Sequence, residues 1–409
     1  MQVYPTEGLL PPACCFDPKW HDLARQLVYD HTPRYIGHVS QLPEGGTYAL
    51  AQDGEGGRLV LTREYDRIRC FDVRCRHQGA VLVDPSVTPD YTSSPEFGPE
   101  ESLSKDPTSG KKKCLVCPIH QWTYHLDGTL RGAPNFDLDR LPEDRKRLHE
   151  VPIRIWNGMI FSNVRRNTAL PWENEVAGYD HADLFDLSEY FQGGETVHEY
   201  GCSMHIFNKV YFDDRHVPLG HKTSFGAVMD LSVLRFVEGA HFNVQEVGFV
   251  MKPTTRLCPE YQAWHEWVKR LSQGEQPKFG ALWTFFYPNF MIEWYPWTVV
   301  VSIMEPVAVD RSVNRCYFFY PNTLRDMVAL GELSQAELDA FIRTQQAAYG
   351  RTAVEDEDFV MRIAKGLRIS YERGEEFVGV PHPVEEKGIF SYDRYFAEVE
   401  QVYRQQGLP

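Results

Sequence analysis

Two short arms, each carrying one cysteine and one histidine, constrain this chain more than any other feature: Cys75-Arg76-His77 and, after a long interval, Cys117-Pro118-Ile119-His120. Together they offer two thiolates and two imidazoles. A structural zinc ion accepts such a set, but zinc fingers usually keep like ligands together, as Cys-x-x-Cys and His-x-x-x-His. Here each arm contributes one of each. That alternation suits a two-iron, two-sulfide centre in which the cysteine pair holds one iron and the histidine pair replaces cysteine on the other. Gly79 and Gly128 follow the arms, and Ile68-Arg69-Cys70-Phe71-Asp72-Val73 has the character of a strand leading into the first, so both arms are expected on loops at strand ends.

The 409 residues are long for one domain and comfortable for two, and 43% hydrophobic with 13% aromatic residues fill sizeable cores. A formal net charge of -15 argues against nucleic acid as a partner, because phosphate binding needs a positive face. Nine cysteines, an odd number with two committed as ligands, do not make a disulfide scaffold and fit a reducing cytoplasm. Met1 to Pro12 lacks a basic region followed by an apolar run, so no signal peptide is expected, and no stretch is long and apolar enough to cross a membrane.

Along the chain, Trp20, Leu23, Ala24, Leu27 and Val28 recur at helical spacing between Asp17 and Tyr29, with Asp17 as cap and Pro18 in the first turn. From Tyr35 the signal changes to short strands: Thr47 to Ala51, Arg58 to Arg63, Ile68 to Val73, Val151 to Ile155 and Met159 to Phe161. Gly54-Glu55-Gly56-Gly57 reads as a hairpin turn and not as a phosphate loop, since no helix follows it. An insertion of about 84–113, rich in Ser, Pro, Glu and Lys, reads as an exposed loop ending in the solvated Lys111-Lys112-Lys113.

After Arg166 a second domain begins. Its densest β-branched and aromatic region, Phe279 to Tyr320, predicts long antiparallel strands. Helices are expected at Glu260 to Leu271, Ser334 to Ala348 with a Ser334…Glu337 capping box, Glu355 to Glu372, and Tyr392 to Gln405. The fold class is therefore α+β: a helical segment over 1–33, an all-β domain over 34–165 holding the two arms, and an antiparallel sheet with covering helices over 166–409.

A second constellation lies in the later domain. Asp213, His216 and His221 fall within a short span, with Asp213 and His216 three apart and expected on one helix face. Pro218 and Gly220 can bend the chain so that both imidazoles converge. Two imidazoles and a carboxylate make a facial triad with open positions for ferrous iron. For the substrate, Trp283, Phe286, Tyr287, Phe290, Met291 and Trp294 are candidates to line a pocket or fill the core, and His205 and His241 are candidate polar contacts with a structural role favoured for both.

The run Cys117-Pro118-Ile119-His120-Gln121-Trp122-Thr123-Tyr124, with Asp127-Gly128 behind it, resembles the Rieske iron-sulfur domain, although Gln121 stands where many relatives have Gly. Asp213-x-x-His216-x-x-x-x-His221 resembles the motif of Rieske non-haem iron oxygenases, of the aromatic ring-hydroxylating type. Their third ligand, a carboxylate from a late helix, falls on Asp356, with Asp358 as the alternative, in Glu355-Asp356-Glu357-Asp358-Phe359-Val360. The Asn of the family pattern falls on Lys209 or Val210, with Asn208 further back. The resemblance implies a terminal oxygenase. In it Cys75, His77, Cys117 and His120 hold a [2Fe-2S] cluster, and His216, His221 and Asp356 hold Fe(II). Asp213 would link a cluster histidine of one subunit to His216 of the next in a head-to-tail homotrimer.

The expected reaction is O2-dependent hydroxylation, dihydroxylation or oxidative demethylation of a small organic substrate, with an aromatic one expected. No flavin or nicotinamide fingerprint is present, so electrons are expected from NAD(P)H through a separate reductase, with or without a ferredoxin. The alternative is a Rieske electron carrier whose second domain is not catalytic.

Overall fold

Strand-forming runs broken by turn residues build sheets through most of the chain in the computed structural model, which describes residues 9–42, 48–52, 58–82, 103–105, 112–163, 168–375 and 379–405. The Gly54-Glu55-Gly56-Gly57 turn, most of the 84–113 insertion with Lys111, and the boundary at Arg166 lie outside the described residues. Two compact units emerge: Tyr29–Ala169 is one, and the stretch ending at Val28 joins the residues from Leu170 onward in the other.

In the first unit all pairing is antiparallel. Arg34–His38, Met159–Ser162 and Ile153–Trp156 form one sheet; Tyr48–Gln52, Arg58–Glu64, Arg67–Asp72 and Glu150–Val151 form a second. The third runs Leu103–Lys105, Lys112–Val116, Thr123–His125 and Leu130–Gly132. The insertion is thus not loop throughout: Leu103–Lys105 pairs with Lys112–Val116, an edge that would otherwise leave backbone groups unpaired. Val60, Phe71, Val73, Leu115, Trp122, Tyr124 and Leu148 pack around Cys75 and Cys117, so the thiols sit in the core of this unit.

The second unit is organised on a seven-stranded antiparallel sheet in the order Tyr190–Tyr200, Arg311–Pro321, Thr298–Ala308, Phe290–Tyr295, Ala281–Phe286, Phe242–Phe249 and Met229–Glu238. The four strands between Ala281 and Pro321 answer to the aromatic region of the sequence. The other three were not expected, since Gly193, Gly194 and scattered charges dilute their periodicity. One sheet face is covered by helices at both ends. Trp283, Val300, Phe318 and Tyr320 pack with Trp264, Val268 and Phe341. Phe285, Met291 and Met304 pack with Phe207, Phe212, Val360 and Tyr392. The sheet positions between these clusters are polar: Glu293, Ser302 and Asn314 are all buried on that face.

Among the helices, Pro18–Arg25 starts at Asp17, whose side chain accepts from the Lys19 amide, and Pro259–Leu271 and Lys387–Gln405 lie close to their expected positions. The two helices expected at 334–348 and 355–372 are instead one of 38 residues, Gln335–Glu372, opened by the Ser334–Glu337 capping box. Gly350, in the gap between the two expected helices, has open space at its Cβ position, and the roughly 1 kcal/mol that glycine costs a helix is smaller than the packing on either side provides.

Gly128 is left-handed, with φ +85, and a Cβ there would stand 2.5 Å from the Phe71 ring. Gly128→Ala is expected to destabilise the first unit by roughly 2–5 kcal/mol, combining left-handed strain with overpacking. Thermal unfolding of the variant against the parent checks this; an unchanged melting temperature would contradict it.

Candidate metal centres and the adjoining cavity

Both cysteine-histidine arms close by the same backbone pattern. The Cys75 amide donates to the Ala80 carbonyl (2.8 Å) and the Gly79 amide to the Cys75 carbonyl (2.9 Å); Cys117 repeats this with Trp122 (2.8 Å) and Gln121 (2.9 Å). The equivalent residues Gly79 and Gln121 are both left-handed, at φ +79 and +58. Gln121 therefore adopts the backbone conformation that glycine adopts in the other arm, so its departure from the family pattern leaves the loop intact. The arms bring the His77 and His120 rings to 4.7 Å, with His77 stacked on Trp122 at 5.0 Å.

Cys75 and Cys117 are buried, whereas His120 is exposed and His77 half-buried. The Tyr124 hydroxyl lies 3.3 Å from Cys75 Sγ and accepts from the Arg76 amide at 3.0 Å. A hydrogen bond from Cys75, aided by the amides of Ile119 and His120, pulls the Cys117 thiol down against the effect of burial, while the same bond pushes Cys75 up. Nδ1 of His77 is buried without a hydrogen-bond partner. Two inward thiols and two outward imidazoles fit a mixed-ligand iron-sulfur centre.

In the second unit the helix Met204–Tyr211 ends before Asp213, which caps a short turn: its Oδ1 accepts from the His216 amide at 3.0 Å. Asp213 and His216 are thus joined by a cap, not by a shared helix face. Val217–Gly220 forms one further turn containing Pro218, and His221 follows as its C-cap. Gly220 is needed here, because a Cβ would meet the Phe359 ring at 2.6 Å, and that contact lets the long helix approach. Asp356 on this helix then reaches both imidazoles: its Oδ1 is 3.3 Å from His216 Nε2 and 3.0 Å from His221 Nε2. One donor atom from each of the three lies within 4.8 Å of the others. Asp358 is turned outward, in an exposed pair with Arg362 (2.7 Å).

Burial disfavours charge on His216, but Asp213 and Asp356 outweigh it and hold the imidazole up to about 10. Burial likewise opposes ionisation of Asp356, and the two histidines overcome it and hold the carboxyl below its usual range. Such mutual stabilisation is what a metal would take over. Two imidazoles and one carboxylate fit the facial triad of ferrous iron. Asp213 also lies 3.6 Å from His216 Nδ1, at ion-pair distance. Arg215, the other partner open to Asp213, pairs with Glu385 instead (2.7 Å).

The residue beside Asp356 went unrecognised in the sequence. Glu355 Oε2 accepts from His221 Nδ1 (2.7 Å) and from Ser224 Oγ (2.5 Å), while Arg351 holds Oε1 at 2.9 Å. This fixes the His221 ring with Nε2 toward Asp356.

A cavity of about 100 Å³ adjoins the triad, with His216, His221 and Asp356 on one side and Trp283, Glu293 and Tyr295 on the sheet. Of the expected pocket residues only Trp283 reaches it; Phe286 and Phe290 pack on Trp172, and Tyr287 bonds Ser391. His205 contacts the Tyr392 hydroxyl (2.8 Å), which also accepts from Asn208 (2.9 Å), and His241 pairs with Glu175 (2.5 Å), so these groups are structural. Glu293, 3% exposed, was missed. Its signal is a lone acid in the otherwise apolar Phe290-Met291-Ile292-Glu293-Trp294-Tyr295, because an acid buried in a strand requires a reason. Burial pushes its carboxyl up to about 7 although Ser302, Tyr295 and Tyr349 donate to it.

Comparison with known proteins adds to this geometry. The profile of the Rieske [2Fe-2S] domain matches residues 32–142, and that of the ring hydroxylating alpha subunit (catalytic domain) matches 189–405. Putrescine 2-hydroxylase of Ralstonia nicotianae is 30% identical over 98% of this chain and 97% of its own. The chloroplastic choline monooxygenase of Arabidopsis thaliana is 22% identical over 89% and 78% respectively. Among solved structures, a quaternary ammonium Rieske monooxygenase described in terms of carnitine oxidation and inter-subunit electron transfer superposes with a TM-score of 0.67 at 16% identity, covering 96% of this chain and 95% of that one.

Two outcomes are expected. Glu355→Ala should weaken mononuclear metal binding about 10–100-fold by freeing the His221 ring, read by equilibrium dialysis against Co(II). For Glu293, the folded carboxyl stays neutral to about 7 while the unfolded one ionises above 4.5, so stability falls as pH rises between those values. The loss is at most roughly 3 kcal/mol. Glu293→Gln should melt close to the parent at pH 5 and above it at pH 8; a pH-independent difference would contradict this.

Proposed function

Because this chain belongs to the Rieske oxygenases, joining a Rieske [2Fe-2S] domain to a ring-hydroxylating alpha-subunit catalytic domain, we propose that it hydroxylates a small aliphatic amine at iron held by His216, His221 and Asp356. The enzyme uses a [2Fe-2S] cluster, Fe(II) and O2, with electrons supplied by a separate reductase. When bound, the cluster delivers single electrons and the ferrous ion activates dioxygen.

The chain's own residues do the rest. Cys75 and Cys117, both buried, would hold the cluster from the core side, and His77 with His120 from the more exposed side. His216, His221 and Asp356 would hold the iron beside the cavity that they line; their convergence is the observation that carries this reading. Glu355 orients His221, and Asp213 holds His216 through backbone and ring.

The substrate class rests on the relatives, named for putrescine and choline. An aromatic substrate is the weaker reading. It retains the support of cavity walls such as Phe225, Tyr261 and Trp283. A head-to-tail homotrimer, in which Asp213 meets the cluster of a neighbouring subunit, is favoured by the contact of Asp213 with His216 and its partial exposure. Electron delivery through a ferredoxin and a reducing cytoplasm complete the reading.

With a surrogate reductase, 1,4-diaminobutane should stimulate O2 uptake and yield a product heavier by one oxygen atom. His216→Ala should abolish that uptake, keep the visible cluster absorption and lower iron from about three to about two per chain. Two irons in the parent with no uptake would instead indicate an electron carrier.

A further inference from the structure

Glu293 stands at the middle of the helix-covered sheet face, where the apolar clusters on either side give way to the cavity. Its Oε1 accepts from Ser302 Oγ (2.7 Å) and the Tyr349 hydroxyl (3.2 Å), and its Oε2 from the Tyr295 hydroxyl (3.0 Å). No lysine, arginine or histidine among the described residues pairs with it. An ionised carboxylate has about four acceptor positions. Three are occupied by hydroxyls, and the remaining one belongs to Oε2. A buried carboxylate without a cation is costly, and a glutamine would satisfy the same hydroxyls without the charge. The site therefore draws in positive charge from outside the chain, either as a proton or as a cationic ligand.

We propose that Glu293 is the ammonium anchor of the substrate cavity, taking one N–H of a protonated primary or secondary amine on Oε2 while aromatic faces enclose the charge. The inference rests on reading this cavity as the oxygenase's substrate site. Trp283, Tyr295, Tyr349 and Tyr211 line the cavity with Glu293, and such rings attract a cation through their faces. Burial that raises the carboxyl's affinity for a proton serves an ammonium equally, since each brings the positive charge the site lacks.

The same geometry directs the rest of the molecule. Tyr349, which holds Glu293, and Asp356, which belongs to the triad, are seven residues apart on one face of the long helix, about 10 Å along its axis. An amine seated at Glu293 therefore extends its alkyl chain toward the triad. Glu293 selects the substrate and positions its carbon; it does not touch the iron ligands.

Anaerobic calorimetry on the holoenzyme tests this with 1,4-diaminobutane and n-butylamine against the neutral isosteres 1,4-butanediol and 1-butanol. The amines should bind at least 30-fold more tightly than the alcohols. Glu293→Gln should lose at least 30-fold in amine affinity, the scale of removing one partner of a buried charge pair, with cluster absorption and iron content intact. Glu293→Asp should recover part of that loss, which a merely structural role would not produce. Equal binding of amines and alcohols by the parent overturns the proposal, as does an amine affinity in Glu293→Gln within threefold of the parent. If Glu293→Gln does not assemble its cofactors, the parent's amine-to-alcohol ratio alone decides. Substrate-stimulated O2 uptake with neutral compounds but none with amines would overturn the anchor and leave the oxygenase reading standing. An iron-free triad with no uptake for any compound would remove both.

Discussion

Holding two imidazoles and a carboxylate so close together, with His221 fully buried and His216 and Asp356 largely so, is the demand that the catalytic unit is built to meet. Left alone these groups would resist burial, and each instead is stabilised by its neighbours, His216 by Asp213 and Asp356, His221 by Glu355 and Asp356. That arrangement exists only while the His216–His221 turn is pressed against the helix carrying Asp356. Gly220 against the Phe359 ring is where the two surfaces meet. The helix in turn is fixed by packing on the sheet through Phe341 and Ala348 on one side and Val360 on the other. The sheet, the helices and the capped turn are a scaffold for one small constellation.

The cluster arms solve a different problem by duplication. Each is a six-residue loop closed by two backbone bonds to its cysteine, with one left-handed residue at the same place. The loops impose the cysteine-inside, histidine-outside division, since every thiol is oriented into a core containing Phe71, Trp122 and Tyr124. Folding the unit and shaping the metal site are therefore the same event, as in other proteins whose ligands are fixed by their core.

How much of this was legible in the sequence depended on whether a signal was local. Cys75, His77, Cys117, His120, His216 and His221 announce themselves because metal ligation demands rare residue types at short spacings. Asp356 was separable from Asp358 only by resemblance, and the structure shows the physical difference: two positions on a helix turn one carboxylate to the cavity and the other to Arg362. Glu355 stayed hidden because its partner His221 lies more than a hundred residues away, and Glu293 because alternation along a strand does not say which face meets a cavity, although Tyr295 and Ser302, two of its three partners, are close in sequence. Among the strands, Ala281 to Pro321 carried aromatic and β-branched density enough to be read. Tyr190–Tyr200, interrupted by Gly193 and Gly194, depends on pairing with Arg311–Pro321 and showed no comparable pattern. The single long helix Gln335–Glu372 was not legible as one, because the packing that carries it across 349–354 is supplied only by the fold.

The unbroken helix has a further consequence. Gln345, Tyr349, Thr352 and Asp356 recur along it at intervals of three and four residues, and all four face the cavity. The metal ligand thus occupies the zero mark of a graduated rod, with the other three as successive divisions above it. Enlarging a side chain at one division would shorten the accommodated molecule, and shrinking it would lengthen it, by about one helical turn per step, roughly 5 Å, while the zero mark stays where it is. A lineage carrying such a rod can change what it oxidises without rebuilding the place where oxidation occurs.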